Sequence, residues 1–367
     1  MKVPFSYLSR QFEDPEPILD KIRDLVKRGG FTLGAPVEAF EEAFAAFIGS
    51  RFAVSVGSGT GALFLSLKAL NIGAGDEVIT AANTFVATAG AIETCGARIV
   101  FVDCNDQFVM DTDQVEAAIT PKTRAIMPVH YTGQPANLPR LEEIAAKYGL
   151  DIVEDSCTGI DASINGLRCG TIGRAAGFSF HPLKNLNVWG DGGMITTNDE
   201  QLRDRLRLMR NHGMLDRDTY AFFAYNDRLD TMQAVVGMHL LPDVSWITNQ
   251  RIDVARRYDA GFSDLRPQVR TPPRSDNERH VYHLYMMLVE NRDDLLAYLK
   301  NAGISAKIHY PKPLHLQPAA RHLGYGPGSF PVAERQAQEV ISLPAHQHLT
   351  DDEVCYVIEK VREFTQS

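Results

Sequence analysis

The chain has 367 residues, enough to bury a sizeable core and to divide into a large domain and a smaller one. Its 44% hydrophobic and 23% charged content is that of an ordinary globular protein, and it nowhere offers the roughly 18 consecutive apolar residues that span a bilayer. A formal net charge of -9 argues against a nucleic-acid binder that works through a broad basic face.

The elements follow in chain order. Ile18, Leu19, Ile22, Leu25 and Val26 recur at helical spacing until Gly29-Gly30 stops them, and Val37, Phe40, Phe44 and Phe47 mark a second amphipathic stretch. Strand and helix then alternate: strand 52–56, helix 62–70, strand 77–80, helix from Val86, strand 98–102, helix 112–119, strand 124–129, helix 138–148 and strand 150–153. Two more strand-like runs follow, at 177–180 and 194–197. Such alternation predicts an α/β fold with a mostly parallel sheet covered by helices. A long helix at 249–262 and a Pro-rich segment near Thr271-Pro272-Pro273-Arg274 mark the change to a smaller domain, expected over 251–367 after a large domain over 1–250.

The five cysteines, Cys95, Cys104, Cys157, Cys169 and Cys355, are odd in number and lack CxxC spacing. That pattern favours reduced thiols over a disulfide framework or a metal site. The N-terminal MKVPFSYLSRQF lacks the apolar run of a signal peptide, so the cytoplasm is the expected location.

In open sheets of this kind ligands bind beyond the carboxyl ends of the strands, and three such loops carry chemistry. Gly57-Ser58-Gly59-Thr60-Gly61 follows a strand and opens a helix, where free N–H groups attract anions. Its G-x-G-x-G spacing is not the dinucleotide fingerprint, and a plain Gly-rich turn is the rival reading. Ile152-Val153-Glu154-Asp155 ends a hydrophobic strand in two carboxylates, either an acidic cap or a partner for a protonated ring nitrogen. FSFHPLKNLNVWGDGG, at 178–193, sets Lys184 between two strands, where desolvation would favour the neutral, nucleophilic amine. A phosphate, a basic ring nitrogen and an aldehyde together describe pyridoxal phosphate. Two further loops carry less information: YNDRLD at 225–230 reads as a polar helix start capped by Asp227 or Asp230, and IHYPKPLH at 308–315 as a cationic, aromatic loop suited to a phosphorylated substrate or simply a solvated one.

These motifs resemble, in order, those of the fold-type I, pyridoxal-phosphate-dependent ketosugar aminotransferases of the DegT/StrS kind. The likeness runs from Phe31-Thr32-Leu33-Gly34 through SGTGAL, NTFVATAGAI, VEDSCTGIDASINGLRCGTIG, FSFHPLKNLNVWGDGG and YNDRLDTMQAVVG to KIHYPKPLH and LPAHQHLTDDEV. The resemblance implies that Lys184 is the Schiff-base lysine and proton shuttle, and that Asp155 pairs with the pyridine nitrogen. It implies that Gly59, Thr60 and Ser179 hold the cofactor phosphate and that Phe85 stacks on the ring. Asn226 would reach the phosphate of the neighbouring subunit's cofactor, implying a homodimer, with Arg228 nearby.

Thr158 stands where relatives usually carry a glutamine that contacts the cofactor ring, and threonine is too short to copy that contact. Gly190, Gly192 and Gly193 are expected to let the chain turn back under the cofactor. Arg228, Arg279, His280, Tyr282, His309, Tyr310 and His315 are candidates for the substrate. The expected reaction moves an amino group from L-glutamate to a ketosugar, nucleotide-linked or else a keto-hexose phosphate or keto-cyclitol. A sugar dehydratase, which replaces the lysine with histidine, and a cofactor-binding regulator are the rivals.

Overall fold

In the computed structural model, which describes residues 1–366, the central sheet is built from β1 (Phe52–Val56), β2 (Glu77–Ala81), β3 (Arg98–Val102), β4 (Thr123–Met127), β5 (Asp151–Asp155), β6 (Ala175–Ser179) and β7 (Gly193–Thr197). Their order across the sheet is β1–β7–β6–β5–β4–β2–β3. β7 pairs antiparallel with both β1 and β6, whereas the remaining pairs are parallel. The strands read as near-continuous apolar runs because helices cover both faces. Phe40, Phe44, Phe178 and Phe180 pack into one side of this core, and Leu63, Leu67, Val78 and Val153 into another.

Local signals set most of the helix ends. The Ser58 hydroxyl accepts from the Gly61 N–H at the start of the helix Gly59–Ala69, and Asn137 accepts from Arg140 at the start of Leu138–Tyr148. Gly149 then ends the latter in the left-handed conformation (φ 66°). The helix expected over 112–119 breaks into a 3₁₀ turn, Thr112–Gln114, and a short helix, Val115–Ala118. Asp111 caps the 3₁₀ turn, its carboxylate accepting from the Asp113 N–H (3.1 Å) and the Gln114 side chain (2.9 Å).

A second core gathers Tyr258, Tyr285, Leu295, Ile341 and Val357 around the antiparallel strands Val269–Arg270, Tyr285–Val289 and Val340–Leu343. Val3 belongs to this core and bridges to Ile304, so the N-terminal segment joins the C-terminal unit. The division expected at residue 250 falls inside the helix Val244–Gly261, which begins before the expected Asn249.

The two carboxylates that end β5 go to different places. Asp155 enters the crevice described below. Glu154 is fully buried and accepts from the N–H groups of Gly170 (2.6 Å), Ile172 (2.9 Å) and Gly173 (2.7 Å), pinning the loop that leads into β6. His130 completes the set: the Ala136 N–H donates to its Nδ1 (3.1 Å), which places the ring proton on Nε2, 3.0 Å from Glu154 Oε2. Burial opposes ionisation of Glu154, but the bonds from His130, Gly173 and Gly170 outweigh it and hold the carboxyl below its usual range. A depressed folded-state pKa contributes stability above the unfolded value of about 4.3 and loses it as pH falls through the folded value. Glu154→Gln should therefore destabilise the protein by about 2–4 kcal/mol at pH 7. Urea unfolding of both proteins should show the gap narrowing as pH falls below the unfolded-state value of about 4.3.

Candidate active site

The crevice lies beyond the carboxyl ends of β1, β2, β5 and β6. Asp155, the last residue of β5, is buried, and its Oδ2 accepts a 2.7 Å hydrogen bond from the Thr88 hydroxyl while Oδ1 accepts from the Cys157 N–H at 3.1 Å. Neither partner carries charge. Among the described residues no cationic side chain comes within 4.0 Å of this carboxylate. Leaving an anion so placed is costly unless a cation arrives, which is the chemistry of a ligand with a protonated nitrogen. Thr88 comes from the first turn of the helix Val86–Thr94, and Phe85, half exposed, caps that helix, so one helix start carries both.

Lys184 sits in the long connection between β6 and β7. Burial lowers the affinity of its amine for a proton, against the opposing attraction of Cys157 and Asp155. Two side chains hold its backbone: the Tyr7 hydroxyl (2.7 Å) and Asn187 Nδ2 (3.3 Å) both donate to the Lys184 carbonyl. Around it, Leu186 and Val188 go into the core with Phe40 and Phe44. The lysine is therefore fixed from both sides while its amine stays in the crevice.

The SGTG turn lies against both elements. With Ser58 satisfying Gly61 and the Ala62 N–H bonding back to the Ser58 carbonyl, the N–H groups of Gly59 and Thr60 are the open donors of the helix start. A Cβ added at Gly59 would lie 2.6 Å from Ser179 Cβ and 2.8 Å from Cys157 Sγ, and one at Gly193 would lie 2.3 Å from the Ser58 carbonyl oxygen. The glycine cluster thus serves close approach at Gly193, whereas Gly190 (φ 154°) supplies the unusual backbone turn. Cys157, wedged between Gly59 and Asp155, is held in its neutral thiol form by burial and by the Asp155 charge.

The structure separates the remaining expected residues. Thr158 is close to the site, but its hydroxyl donates to the His130 carbonyl (2.7 Å), so that hydrogen is already used. Tyr310 lies 5.9 Å from the Phe85 ring, with burial pushing its phenol up to about 12, and His309 bonds Ser342 Oγ through Nδ1 (2.9 Å). His315 departs from expectation: its side chain is fully buried, 3.0 Å from Glu334 and edge-on to Phe330, where it braces a loop and has no surface to offer a substrate. Arg279 pairs with Asp161 (3.0 Å), and His280 stacks on Tyr282 with centroids 3.9 Å apart. Arg228 donates to Asn211 Oδ1 (2.9 Å), and Asn226 is exposed. Asp227 caps no helix of its own. It accepts from the Gly57 N–H (2.9 Å) and lies against Gly61, bracing the SGTG turn from below. Trp189 packs edge-on to Phe12, and the exposed His181 accepts from the Leu183 N–H at Nδ1.

Comparison with known proteins matches this arrangement along nearly the whole chain. The family model described as "DegT/DnrJ/EryC1/StrS aminotransferase family" matches residues 13–362. A "Pleiotropic regulatory protein" of Geobacillus stearothermophilus is 42% identical over 99% of both chains. A "dTDP-3-amino-3,4,6-trideoxy-alpha-D-glucose transaminase" of Streptomyces venezuelae is 39% identical over 100% of this chain and 97% of its own. The crystal structure of DesV from S. venezuelae in complex with a ketimine intermediate superposes with a TM-score of 0.97 at 38% identity, covering 100% of this chain and 99% of that one. The fold is that of the fold-type I aminotransferases. The chain belongs to the DegT/DnrJ/EryC1/StrS aminotransferase family.

Proposed function

We propose that this protein binds pyridoxal phosphate and moves an amino group from L-glutamate to a nucleotide-linked ketosugar in amino-sugar biosynthesis. The observation that carries the reading is the pairing, in one crevice, of a buried carboxylate without a close cation and a desolvated lysine amine. The donor set fits the cofactor: the Gly59 and Thr60 N–H groups and the hydroxyls of Thr60 and Ser179 suit a phosphate, Asp155 a protonated ring nitrogen, and Lys184 an aldehyde. When bound, the cofactor supplies that aldehyde and an electron-accepting ring.

The chain's own residues do the rest. Thr88 and the Cys157 N–H fix the Asp155 carboxylate so that it faces the ring nitrogen and keeps it protonated. Lys184 Nζ, whose affinity for a proton desolvation lowers, would take the proton from the donor α-carbon and return it on the other side of the exchange. Phe85, with Tyr310 beside it, would cover one face of the bound ring. A regulatory name among the relatives does not change these groups, and glutamate-dependent conversion of the bound cofactor to its amine form separates an enzyme from a sensor.

We infer a homodimer as well. Phe222, Phe223 and Tyr225 are exposed together beside Asn226, and apolar surface of this kind marks an interface. A second copy would cover it and bring Asn226 to the neighbouring phosphate site.

Borohydride reduction of the cofactor-loaded protein, followed by peptide mapping, should place the label on Lys184; label elsewhere, or none, overturns the assignment. Lys184→Ala should keep the fold and lower turnover by at least about 100-fold. Gly59→Ala should weaken cofactor retention by about 1–3 kcal/mol through its clash with Ser179 and Cys157, read by equilibrium dialysis.

A further inference from the structure

Next to the Lys184 loop a second, smaller cavity of about 80 Å³ is lined by Tyr7, Arg251, His283, Lys307, His309 and His346, together with Leu183. Nothing in the reading above uses it. Arg251 reaches it from the helix Val244–Gly261 and is almost wholly buried. Its Nη1 donates to the carbonyls of Tyr282 (3.1 Å) and Ala345 (3.0 Å), but Nε and Nη2 are buried without a hydrogen-bond partner. The guanidinium instead faces the Tyr7 ring at 5.1 Å, and Lys307 faces the Phe5 ring at 4.8 Å. Among the described residues neither cation has a carboxylate within 4.0 Å, and the nearby Glu353 is taken by Arg10. His283 Nδ1 is also buried and unpartnered.

A buried guanidinium with two unpartnered nitrogens and a lysine make a site of positive potential that lacks its anion, with three imidazoles on its wall. Burial first, and then Lys184 and Arg251, hold His283 well below its usual range, while His309, pressed by Lys307 and Lys184 after burial, falls to about 4. The volume is too small for a sugar nucleotide, since sites for ligands of that size run from about 300 Å³ upward, yet it admits a carboxylate and its methylene. The cavity adjoins the lysine loop: Leu183, the residue before Lys184, lines it, and Tyr7, on its wall, holds the Lys184 carbonyl.

We propose that this cavity binds the side-chain carboxylate of the amine donor, with Arg251 and Lys307 as its cationic contacts, and so selects L-glutamate over L-glutamine and other neutral donors. The assignment rests on the aminotransferase reading above, and it adds the residues that read the donor. An α-carboxylate would sit at the reacting carbon beside Lys184, which does not line the cavity, so the side-chain carboxylate is the one this cavity would take.

The test uses the cofactor-loaded protein and two variants. Lys307→Gln changes an exposed residue and should fold normally, and Arg251→Lys keeps the buried charge but loses the planar fork. In the donor half-reaction, followed by the change of cofactor spectrum, each should raise the L-glutamate KM by about tenfold or more, with L-glutamine and the ketosugar unaffected in Lys307→Gln. Glutarate, a dicarboxylate without an amine, should bind the wild type in calorimetry and bind Lys307→Gln about tenfold more weakly. An unchanged glutarate Kd and glutamate KM in Lys307→Gln, or a wild type that prefers L-glutamine, overturns the proposal. A wild type that converts no donor but binds glutarate in a Lys307-dependent manner overturns the aminotransferase reading and leaves the cavity assignment standing.

Discussion

A carboxylate buried against neutral donors is the constraint around which this structure is arranged. Asp155 holds its place at the end of β5 because Thr88 and the Cys157 N–H satisfy its oxygens, yet neither balances its charge. Low-dielectric surroundings make that imbalance expensive, and the fold bears it by rigidity elsewhere. Its neighbour Glu154 provides much of the rigidity. With three backbone N–H groups and His130 bound to it, the Gly170–Arg174 loop cannot drift, and β6, which follows, is fixed beside β5. One carboxylate is saturated so that its chain neighbour can be left with capacity for a ligand.

Close backbone approach is the second constraint, and it explains why small residues collect here. The antiparallel β7 brings Gly193 against the Ser58 peptide, while Ser179 at the end of β6 meets Gly59. A side chain at either glycine would push the anion-binding turn off the sheet. Asp227 supports the same turn from outside by accepting the Gly57 N–H, so three chain segments distant in sequence define one helix start. Burial raises the Asp227 carboxyl above its usual range, and the Gly57 bond only partly offsets that.

The legible parts of the sequence were those with local causes. Strand runs buried on both faces, the Ser58 and Asn137 caps and the Gly149 stop each follow from a few adjacent residues, and the alternating order predicted the parallel sheet. Lys184, Asp155 and the SGTG turn were likewise visible, because residue type and position after a strand carry the chemistry. What pairing over long separations decides was not visible. Thr88 reaches Asp155 across 67 residues and Tyr7 reaches the Lys184 carbonyl across 177, and no spacing rule connects them. His315 shows the opposite failure: a cationic residue in a promising loop proved to be a buried brace for Glu334. The 112–119 segment was read as one helix, whereas Asp111 caps a 3₁₀ turn that continues only into the short helix Val115–Ala118.

Lys184 itself depends on the smaller unit. Its carbonyl is held by Tyr7, whose ring lies against Arg251 and whose segment is tied to the C-terminal core through Val3 and its bridge to Ile304. The connection from β6 to β7 must also bury Phe180, Leu186 and Val188 under Phe40 and Phe44 before Lys184 can face the crevice. Contacts from two cores therefore converge on a loop of about a dozen residues, and its conformation depends on distant parts of the chain. This explains why a likeness to relatives holds along nearly the full length and not only at the motifs: a lysine set by contacts from residues 7, 40, 44 and 187 stays in register only if the fold that supplies them is kept.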